Sequence, residues 1–526
     1  MSERMNFLFI FTDQQRADHL RCYNKNMVLK TPNIDRIAEE GIKFTRFYCN
    51  NPICMPNRST IYTGQYPSVH GVTTNGRNLP QGTRTFVDIL LESGLYHTAS
   101  FGKIHLNYFG FPIKKFNKQT ESQEYSQAWD YHRLTNYSPY FGLEEVELVC
   151  GHGTLCGHPD YLNWIKEKMK NEQLRKLFRM KPNTSDATLQ DRINWSFKTK
   201  GSFLNLQVLR HKVPEELYST TFVKERTINF LEKFTNGKYS KNNFFAFCSF
   251  PDPHHPYTPP GKYFGMYKPE DIILPKSFND KHEKSPEFMK LHYNETLHTE
   301  GTTKGLFPNP KDVTELDAKR VIAASYGMEK MIDDAVGEIL SVLDKTGLAE
   351  NTVIIYTTDH GELGGDHHFF FKGPYLYQGL VKIPFIIKIP NGLKNKVTTS
   401  LASSIDIPET ILELTGFPIP DNMQGKSLVP ILEKPDTKIH NSILIEMDDE
   451  ITINESSRSL IMEDWRITVF SEAYIGQLFN LKEDPDELNN LWDDKSFSDK
   501  KSELILKLMR KNTKNLRNPV IRDCQF

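Results

Sequence analysis

Of the seven cysteines in the chain, Cys54 is the one whose surroundings could make it a nucleophile. It belongs to the run Asn51-Pro52-Ile53-Cys54-Met55-Pro56-Asn57-Arg58-Ser59-Thr60, where Pro56 sits early in a helix continuing through Ile61 and Tyr62 to Gly64. Cys54 then lies at or just before a helix N-terminus, where the dipole favours an anion. Arg58, one turn on, can fold its guanidinium back toward that end. Both effects lower a thiol pKa and make Cys54 the best candidate of the seven. On this ground alone, a buried structural cysteine is an equally good account.

A second set of groups shares a position rather than a spacing. Asp13 follows the apolar run Asn6–Thr12, and Lys103 and His105 follow residues 96–101. His254 and His255 follow residues 243–250, and Asp359 and His360 follow Thr352–Thr358. In an open parallel sheet, ligands bind at the carboxyl ends of the strands. Four strand ends would therefore deliver two carboxylates, several imidazoles and an ammonium to one edge. Singly, each has an ordinary account, an Asp at a strand end being more often a helix cap than a ligand. The joint pattern carries the weight. Asp13, Asp359 and His360 suit a dication such as calcium, magnesium or manganese, the imidazole leaning toward manganese or zinc. Gln14 could add a carbonyl oxygen.

The elements that must hold these groups follow from periodicity. Asn6–Thr12 is continuously apolar, as in a strand covered on both faces. Thr31 and Pro32 open a helix as N-cap and first helical residue. Ile34, Ile37 and Ala38 are its apolar stripe, and Gly41 is its expected end. Residues 42–49, 96–101, 243–250, Thr352–Thr358 and 383–389 are further strand candidates, and residues 323–345 have the spacing of a long helix with one apolar face. Strands alternating with helices predict an α/β layered domain with a mainly parallel sheet. Beyond about residue 436, strand candidates at 459–461, Trp465–Phe470 and 477–481 precede a helix at 502–509. They predict a small antiparallel sheet with one helix, so the expected division is residues 1–435 and 436–526.

Residues 107–214 are rich in aromatics and charges and weak in periodicity, and read as an insert shaping a substrate pocket. Within it, residues 164–181 are a basic helix candidate, more readily a solvated surface helix than an anion-binding patch. Cys150-Gly151-His152 to Cys156-Gly157-His158 gathers two thiols and two imidazoles. Zinc sites usually bring paired ligands from two separated knuckles, so a Gly-rich loop is preferred to a structural zinc.

Composition narrows the function. At 526 residues, 38% hydrophobic and 25% charged, the chain can bury a large core and a second, smaller one. A formal net charge of -1 provides no global field for nucleic acid or an anionic membrane, so any anionic substrate must be held by local cations. Apolar runs such as residues 7–11 and 244–247 are far too short to span a bilayer. The odd cysteine count argues against a disulfide framework. Met1 to Met5 lead straight into a strand-like run with no room for a signal peptide, and a cytoplasmic location is the expectation.

Cys54-Met55-Pro56-Asn57-Arg58, with Thr63-Gly64 behind it, resembles the sulfatase maturation motif C-x-P-x-R with its trailing T-G. Other stretches resemble the same family in the same order. Phe11-Thr12-Asp13-Gln14-Gln15 is similar to its first metal-binding strand end, Gly102-Lys103-Ile104-His105 to its G-K-x-H element, and Pro253-His254-His255-Pro256 to its H-x-P element. Thr358-Asp359-His360-Gly361 is similar to its second metal loop and Phe371-Lys372-Gly373 to its K-G element. Later structural signatures are matched by Ser404 to Thr410 and by Leu478 to Pro485. The likeness spans nearly the whole chain. It implies an alkaline-phosphatase-like α/β fold with a small C-terminal sheet domain.

The resemblance also implies roles. A maturation enzyme would oxidise Cys54 to formylglycine, whose hydrate attacks the sulfur of a small-molecule or saccharide sulfate ester. One divalent metal, calcium foremost and manganese or magnesium next, would sit on Asp13, Gln14, Asp359, His360 and residue 54. Arg58 and Lys103 would neutralise charge, His254 and Lys372 are the candidates to protonate the leaving alkoxide, and His105 would take the proton of the second hydroxyl. Lys103, His254, His255, His367 and Lys372 are expected at the substrate, with His254 preferred to His255 for the H-x-P role. A homo-oligomer is compatible with this.

Some positions depart from the pattern. Gln14 stands where many members have a second metal-binding Asp, and His360 replaces the commoner Asn; both resemble phosphonate monoester and choline-sulfate hydrolases. Asn57-Arg58-Ser59 forms a glycosylation sequon, discounted because the segment should be buried. His367 and His368 either face the substrate or are loop histidines. Two further readings therefore stand beside the sulfatase one. The first is a phosphonate monoester or phosphodiester hydrolase with the same nucleophile. The second is a non-catalytic anion-binding relative, against which the intact Lys103, His105, His254 and Lys372 argue.

Overall fold

Asn6–Thr12 forms strand β1, and every one of its residues is buried. The computed structural model describes residues 4–109, 124, 139–168, 207–211, 213–295, 309–450 and 454–515. Around β1 lie β2 (Ile42–Phe44), β3 (Phe47–Tyr48), β4 (Tyr96–Gly102), β5 (Glu145–Leu148), β6 (Asn243–Ser249), β7 (Thr352–Thr358), β8 (Phe385–Lys388) and β9 (Lys396–Thr398). All but β3 join an eight-stranded sheet of order β5-β4-β6-β1-β7-β8-β2-β9. Every pairing in it is parallel except the two made by β8, against β7 and β2.

Alternation along the central strands splits the core into two layers. Phe7, Phe9 and Phe11 enter one layer with Phe245, Phe247 and Ile355. Leu8 and Ile10 enter the other with Ala246, Cys248 and Ile354. Helices cover both faces, as a parallel sheet requires. Helix α1 (Pro32–Glu39) lies on the second layer through Ile34 and Ile37, and α2 (Cys54–Thr63) lies on the first through Met55, Ile61 and Tyr62. Helices α3 (Ser219–Thr235) and α4 (Glu315–Thr346) join α1 on the second layer, with Phe222 and Phe230 from one and Ile332 and Val336 from the other.

Several expectations change. Residues 42–49 form two strands, because β2 pairs with β8 and β9 whereas β3 pairs in parallel with β10 (Ala402–Ser403) in a separate two-stranded sheet. Gly41 does not cap α1, whose C-cap is Glu40. It is needed because a Cβ there would lie 2.3 Å from the Ile387 carbonyl oxygen. The 383–389 strand is shortened to β8 and runs antiparallel. The long helix begins at Glu315 rather than 323, since Thr314 and Asp317 form a capping box there. The stretch 107–214 is not wholly an insert: β5 is an edge strand of the main sheet. The described part of the basic helix candidate lies in Pro159–Lys168, which buries Tyr161, Trp164 and Ile165; residues 169–206 lie outside the described set.

The C-terminal sheet has four antiparallel strands, β11 (Ile443–Asp449), β12 (Glu455–Ile461), β13 (Trp465–Phe470) and β14 (Gln477–Asn480). Its first strand was not among the candidates. Helix α5 (Ser498–Asn515), longer than expected, covers one face through Leu504 and Leu508. Among the described residues, no helix is long and apolar enough to cross a membrane.

Candidate active site

Strand register brings the chemistry together. Gly102 is opposite Ser249, Ser249 is opposite Phe11, and Thr12 is opposite Thr358. The next residues are Lys103, Asp13 and Asp359, so β4, β1 and β7, with β6 between the first two, release them at one edge of the sheet. Gly102 takes φ +116, and a Cβ on it would lie 1.8 Å from the Ser249 carbonyl oxygen. Only glycine lets the Lys103 turn come this close to β6.

Cys54 is the first residue of α2 and is buried, as is every residue of that helix. Gly64, at φ 66, closes the helix with the left-handed cap that glycine favours. Asn57 is fully buried and donates to the Asp359 carbonyl at 2.6 Å and to Ser404 Oγ at 3.1 Å, so it ties α2 to the β7 loop. A glycan has no access to it.

Arg58, 1% exposed, organises the acids. Its Nη2 donates to Asp13 Oδ2 at 2.9 Å and its Nε to Asp359 Oδ2 at 2.8 Å. Nη1 donates to the Lys103 carbonyl at 3.0 Å, and the guanidinium lies 4.5 Å from the centroid of Phe11. Lys103 Nζ adds a 2.5 Å contact to the same Asp13 Oδ2. With the Oδ2 atoms so engaged, Asp13 Oδ1 is left facing Cys54 Sγ at 3.8 Å. Asp359 Oδ1 accepts the backbone N–H groups of Gln14 and His360 and lies 3.7 Å from His360 Nε2. Burial opposes ionisation of Asp13, yet Lys103 and Arg58 hold its carboxyl well below the usual range.

A metal fits this donor set. One ligand atom each from Asp13, Cys54, Asp359 and His360 lies within 4.8 Å of the others, all buried. His360 Nδ1 is 2.8 Å from the Gly361 carbonyl, which assigns the ring proton to Nδ1 and leaves Nε2 its lone pair. Gln14, at φ 61, donates from Nε2 to Glu362 Oε2 and to His255 Nδ1. Its Oε1 is buried with no hydrogen-bond partner among the described residues, as suits an oxygen kept for a cation.

The opposite side of Cys54 is basic. Lys372 Nζ lies 2.9 Å from Cys54 Sγ, 3.0 Å from His254 Nε2 and 3.2 Å from His360 Nε2. Burial and the Asp13 carboxylate push the Cys54 thiol up, but the ammonium groups of Lys103 and Lys372 hold it below the ordinary thiol value. His254 and His255 stack at 4.1 Å, and burial with nearby imidazoles and Lys372 pushes both far down, so both rings are neutral. His105 takes φ 60, lies against Phe109 with ring centroids 4.5 Å apart and has a buried Nδ1 without a partner among the described residues; burial and Lys103 push it far down too.

The structure gathers Asp13, Gln14, Cys54, Arg58, Lys103, His254, His255, Asp359, His360 and Lys372 into one contact network. His367 is not brought to it. Its ring stacks on Tyr377 at 3.6 Å and contacts Asp280 at 2.6 Å, and it lines another cavity with Arg16, Asp366 and Glu487. His368 contacts the carbonyls of Phe278 and Val313 through its two ring nitrogens. A contact made across the fold by short-range pairing wins over the loop position that made both look available.

Three residues were not assigned to this site by the sequence reading, His152 having been weighed only as a possible zinc ligand. Glu362 orients Gln14, and its only signal was its place three residues after Asp359. Asp252 lies one position before Pro253; it is buried, and burial pushes its carboxyl up to about 7 despite hydrogen bonds from Thr220 and Gly153. His152 stacks on His254 at 3.5 Å and contacts Lys103 Nζ at 2.7 Å. Cys150 and Cys156 belong to neither cluster of possible metal ligands among the described residues.

Comparison with known proteins gives the family. Residues 5–417 match the family described as Sulfatase, and residues 365–514 match N-sulphoglucosamine sulphohydrolase, C-terminal. The chain is 27% identical over 500 residues to an arylsulfatase of Clostridium perfringens, covering 94% of this chain and 92% of that one. It is 25% identical over 520 residues to an N-acetylglucosamine-6-O-sulfatase of Bacteroides thetaiotaomicron, covering 96% and 85%. The crystal structure of a phosphonate monoester hydrolase of Agrobacterium radiobacter superposes with a TM-score of 0.77 at 22% identity, covering 98% and 96%, a likeness of fold. With the family match spanning most of the chain and the strand ends meeting at Cys54, the protein belongs to the sulfatase family and is an enzyme of the sulfuric ester hydrolase class.

Proposed function

We propose that this enzyme hydrolyses a small-molecule or saccharide sulfate ester at a nucleophile derived from Cys54. The observation that carries the reading is that Cys54 Sγ meets Asp13 Oδ1, His360 Nε2 and Lys372 Nζ together, at 3.8, 3.3 and 2.9 Å. Asp13, Asp359, His360, residue 54 and the Gln14 amide oxygen would hold a divalent ion, calcium by the oxygen-rich set. When bound, that ion polarises the sulfate and stabilises the attacking oxygen. Oxidation of Cys54 to formylglycine by a partner enzyme would supply an oxygen nucleophile with a second hydroxyl, which a thiol lacks.

The chain's own residues handle charge and protons. Arg58 holds both carboxylates by Oδ2 and keeps Oδ1 of each toward the shared point. Lys103 offers its ammonium to the sulfate, in a protein whose net charge of -1 supplies no wider field. His254 Nδ1 is 2.5 Å from the His255 carbonyl, so Nδ1 carries the ring proton and Nε2 accepts from Lys372. The proton for the leaving alkoxide therefore starts on Lys372 and is oriented by His254. Neutral His105, with its unpartnered Nδ1, is suited to take the proton of the second hydroxyl.

A phosphonate monoester or phosphodiester is the second reading. It is favoured by Gln14 and His360, which stand where the commoner pattern has Asp and Asn and resemble the residues of phosphonate monoester hydrolases. Mass spectrometry of the peptide containing Cys54 tests the nucleophile: conversion of thiol to aldehyde is expected. The kcat/KM values of a charge-matched sulfate monoester and phosphate diester then rank the two chemistries. A higher value for the diester would replace the sulfate reading, and an unconverted thiol in active enzyme would remove the formylglycine.

A further inference from the structure

The segment from Cys150 to Gly157 follows the carboxyl end of β5, whose Leu148 lies opposite Gly102, and it is built onto the site. Cys150 and Gly157 exchange backbone hydrogen bonds of 2.8 and 2.7 Å, which closes the segment into a loop. Gly153, at φ +51, lies so close to the segment after His254 that a Cβ would be 2.4 Å from Thr258 Oγ1 and 2.5 Å from the Pro256 carbonyl. The Thr154 N–H donates to Thr258 Oγ1 at 3.0 Å. The loop is thus pinned to the segment that carries His254 and His255.

This pinning lays the His152 ring on His254, with centroids 3.5 Å apart and planes 11° from parallel. It also sets His152 Nε2 2.7 Å from Lys103 Nζ. Burial and the Lys103 charge push His152 far below the usual imidazole range, so the ring is neutral and Nε2 is the acceptor. Asp13, His152 and His254 together have the spacing of metal ligands, but Lys103 Nζ already contacts two of the three. The cation of this subsite is the lysine.

A lysine ammonium is a mobile point charge on a four-carbon stem, aimed only by its acceptors. Without His152, the described side-chain partner left to Lys103 Nζ is Asp13, and the ammonium would be drawn toward that carboxylate and away from an incoming anion. The His254 ring, which orients Lys372, would lose the flat surface against which it stacks. We infer that His152 is a positioning residue, holding Lys103 and His254 in register with each other at the nucleophile. The inference rests on the hydrolase reading above.

Matured wild type, His152→Ala and His152→Gln are compared on a sulfate monoester, with thermal midpoints measured alongside. The expected result is a kcat about 10- to 100-fold lower in His152→Ala, the range for groups that orient site residues. Its KM and thermal midpoint are expected to stay close to wild type. His152→Gln, whose amide oxygen can accept from Lys103, should recover most of the loss, and added imidazole should raise kcat in the alanine variant alone. A kcat within twofold of wild type in His152→Ala overturns the inference while leaving the hydrolase reading intact. So does an equal loss in both variants without rescue, because that pattern marks a loop that has merely lost its packing. A matured wild type inactive on sulfate and phosphorus esters alike overturns the hydrolase reading, and this role with it.

Discussion

Two buried arginines, Arg58 and Arg466, sit in surroundings that look alike and do different work. Arg466, fully buried, donates to Glu487 Oε1 at 2.5 Å, to Thr468 Oγ1 at 2.6 Å and to Gln477 Oε1 at 3.1 Å. It lies over the Phe479 ring at 4.8 Å, and the other Glu487 oxygen accepts from the Gln378 backbone N–H at 2.8 Å. One cation meets one anion, and both carboxylate oxygens are engaged. This centre fastens the C-terminal sheet to the loop ahead of β8. Around Arg58, by contrast, two carboxylates, two further ammonium groups, a thiol and several neutral imidazoles share one small volume. There, among the described residues, Asp13 Oδ1, Gln14 Oε1 and His105 Nδ1 have no hydrogen-bonding donor but the thiol beside Asp13. Around Arg466 the carboxylate is fully engaged and the buried group left over is a donor, Nη2 of the arginine, whereas around Arg58 the groups left over are acceptors in a site that also holds a nucleophile.

That contrast can be broken in order of effect. Cys54→Ala should lower kcat on the order of 10⁶-fold, the scale of a lost nucleophile, while the thermal midpoint stays near wild type and calorimetric calcium binding is weakened by one lost ligand but retained. Residual turnover close to wild type would remove Cys54 from the chemistry. Next come the arginines. Arg466→Met leaves Glu487 buried and unpaired and should cost about 3–5 kcal/mol in denaturant titrations, with kcat per folded molecule unchanged. Adding Glu487→Leu should return much of that stability. An activity loss in Arg466→Met beyond its folded fraction would erase the distinction between the two centres.

The smallest effect concerns Asp252, a buried carboxyl beside the site with no ion-pair partner among the described residues. Burial raises it from 3.8 to about 7, so the folded protein holds a proton that the unfolded chain releases. Its contribution to stability is complete below about pH 4 and is lost as pH rises through about 7. Asp252→Asn should remove that loss. Its thermal midpoint relative to wild type should therefore rise between pH 5 and pH 8, and a constant difference across that range would show that the carboxyl is already ionised.

The strand-end acids and bases were legible in the sequence because central strands of a parallel sheet are uninterrupted apolar runs, and the first polar residue after each run marks its end. Asp13 and Asp359 could be read that way. Strand β11 could not, since Glu446 and Asp448 interrupt its apolar residues and its place depends on pairing with β12. His152 was hidden for a related reason: it lies in a loop with no periodicity, and its partners are 49 and 102 residues away in the chain (Lys103 and His254). His367 was misread by the same rule, its fate being decided by Asp280 and Tyr377.

The sequence by itself determined which groups exist and roughly where they emerge, because helix starts, strand lengths and glycine positions are local properties of the chain. Tertiary structure alone decided which atom of each group is spent and which is free. Arg58 takes Oδ2 of both aspartates, Glu362 turns the Gln14 amide, and Lys372 rather than His254 keeps the proton. Those choices arise from hydrogen bonds between distant segments in a largely buried site, where most polar groups must find partners within the protein and no spacing along the chain records which ones.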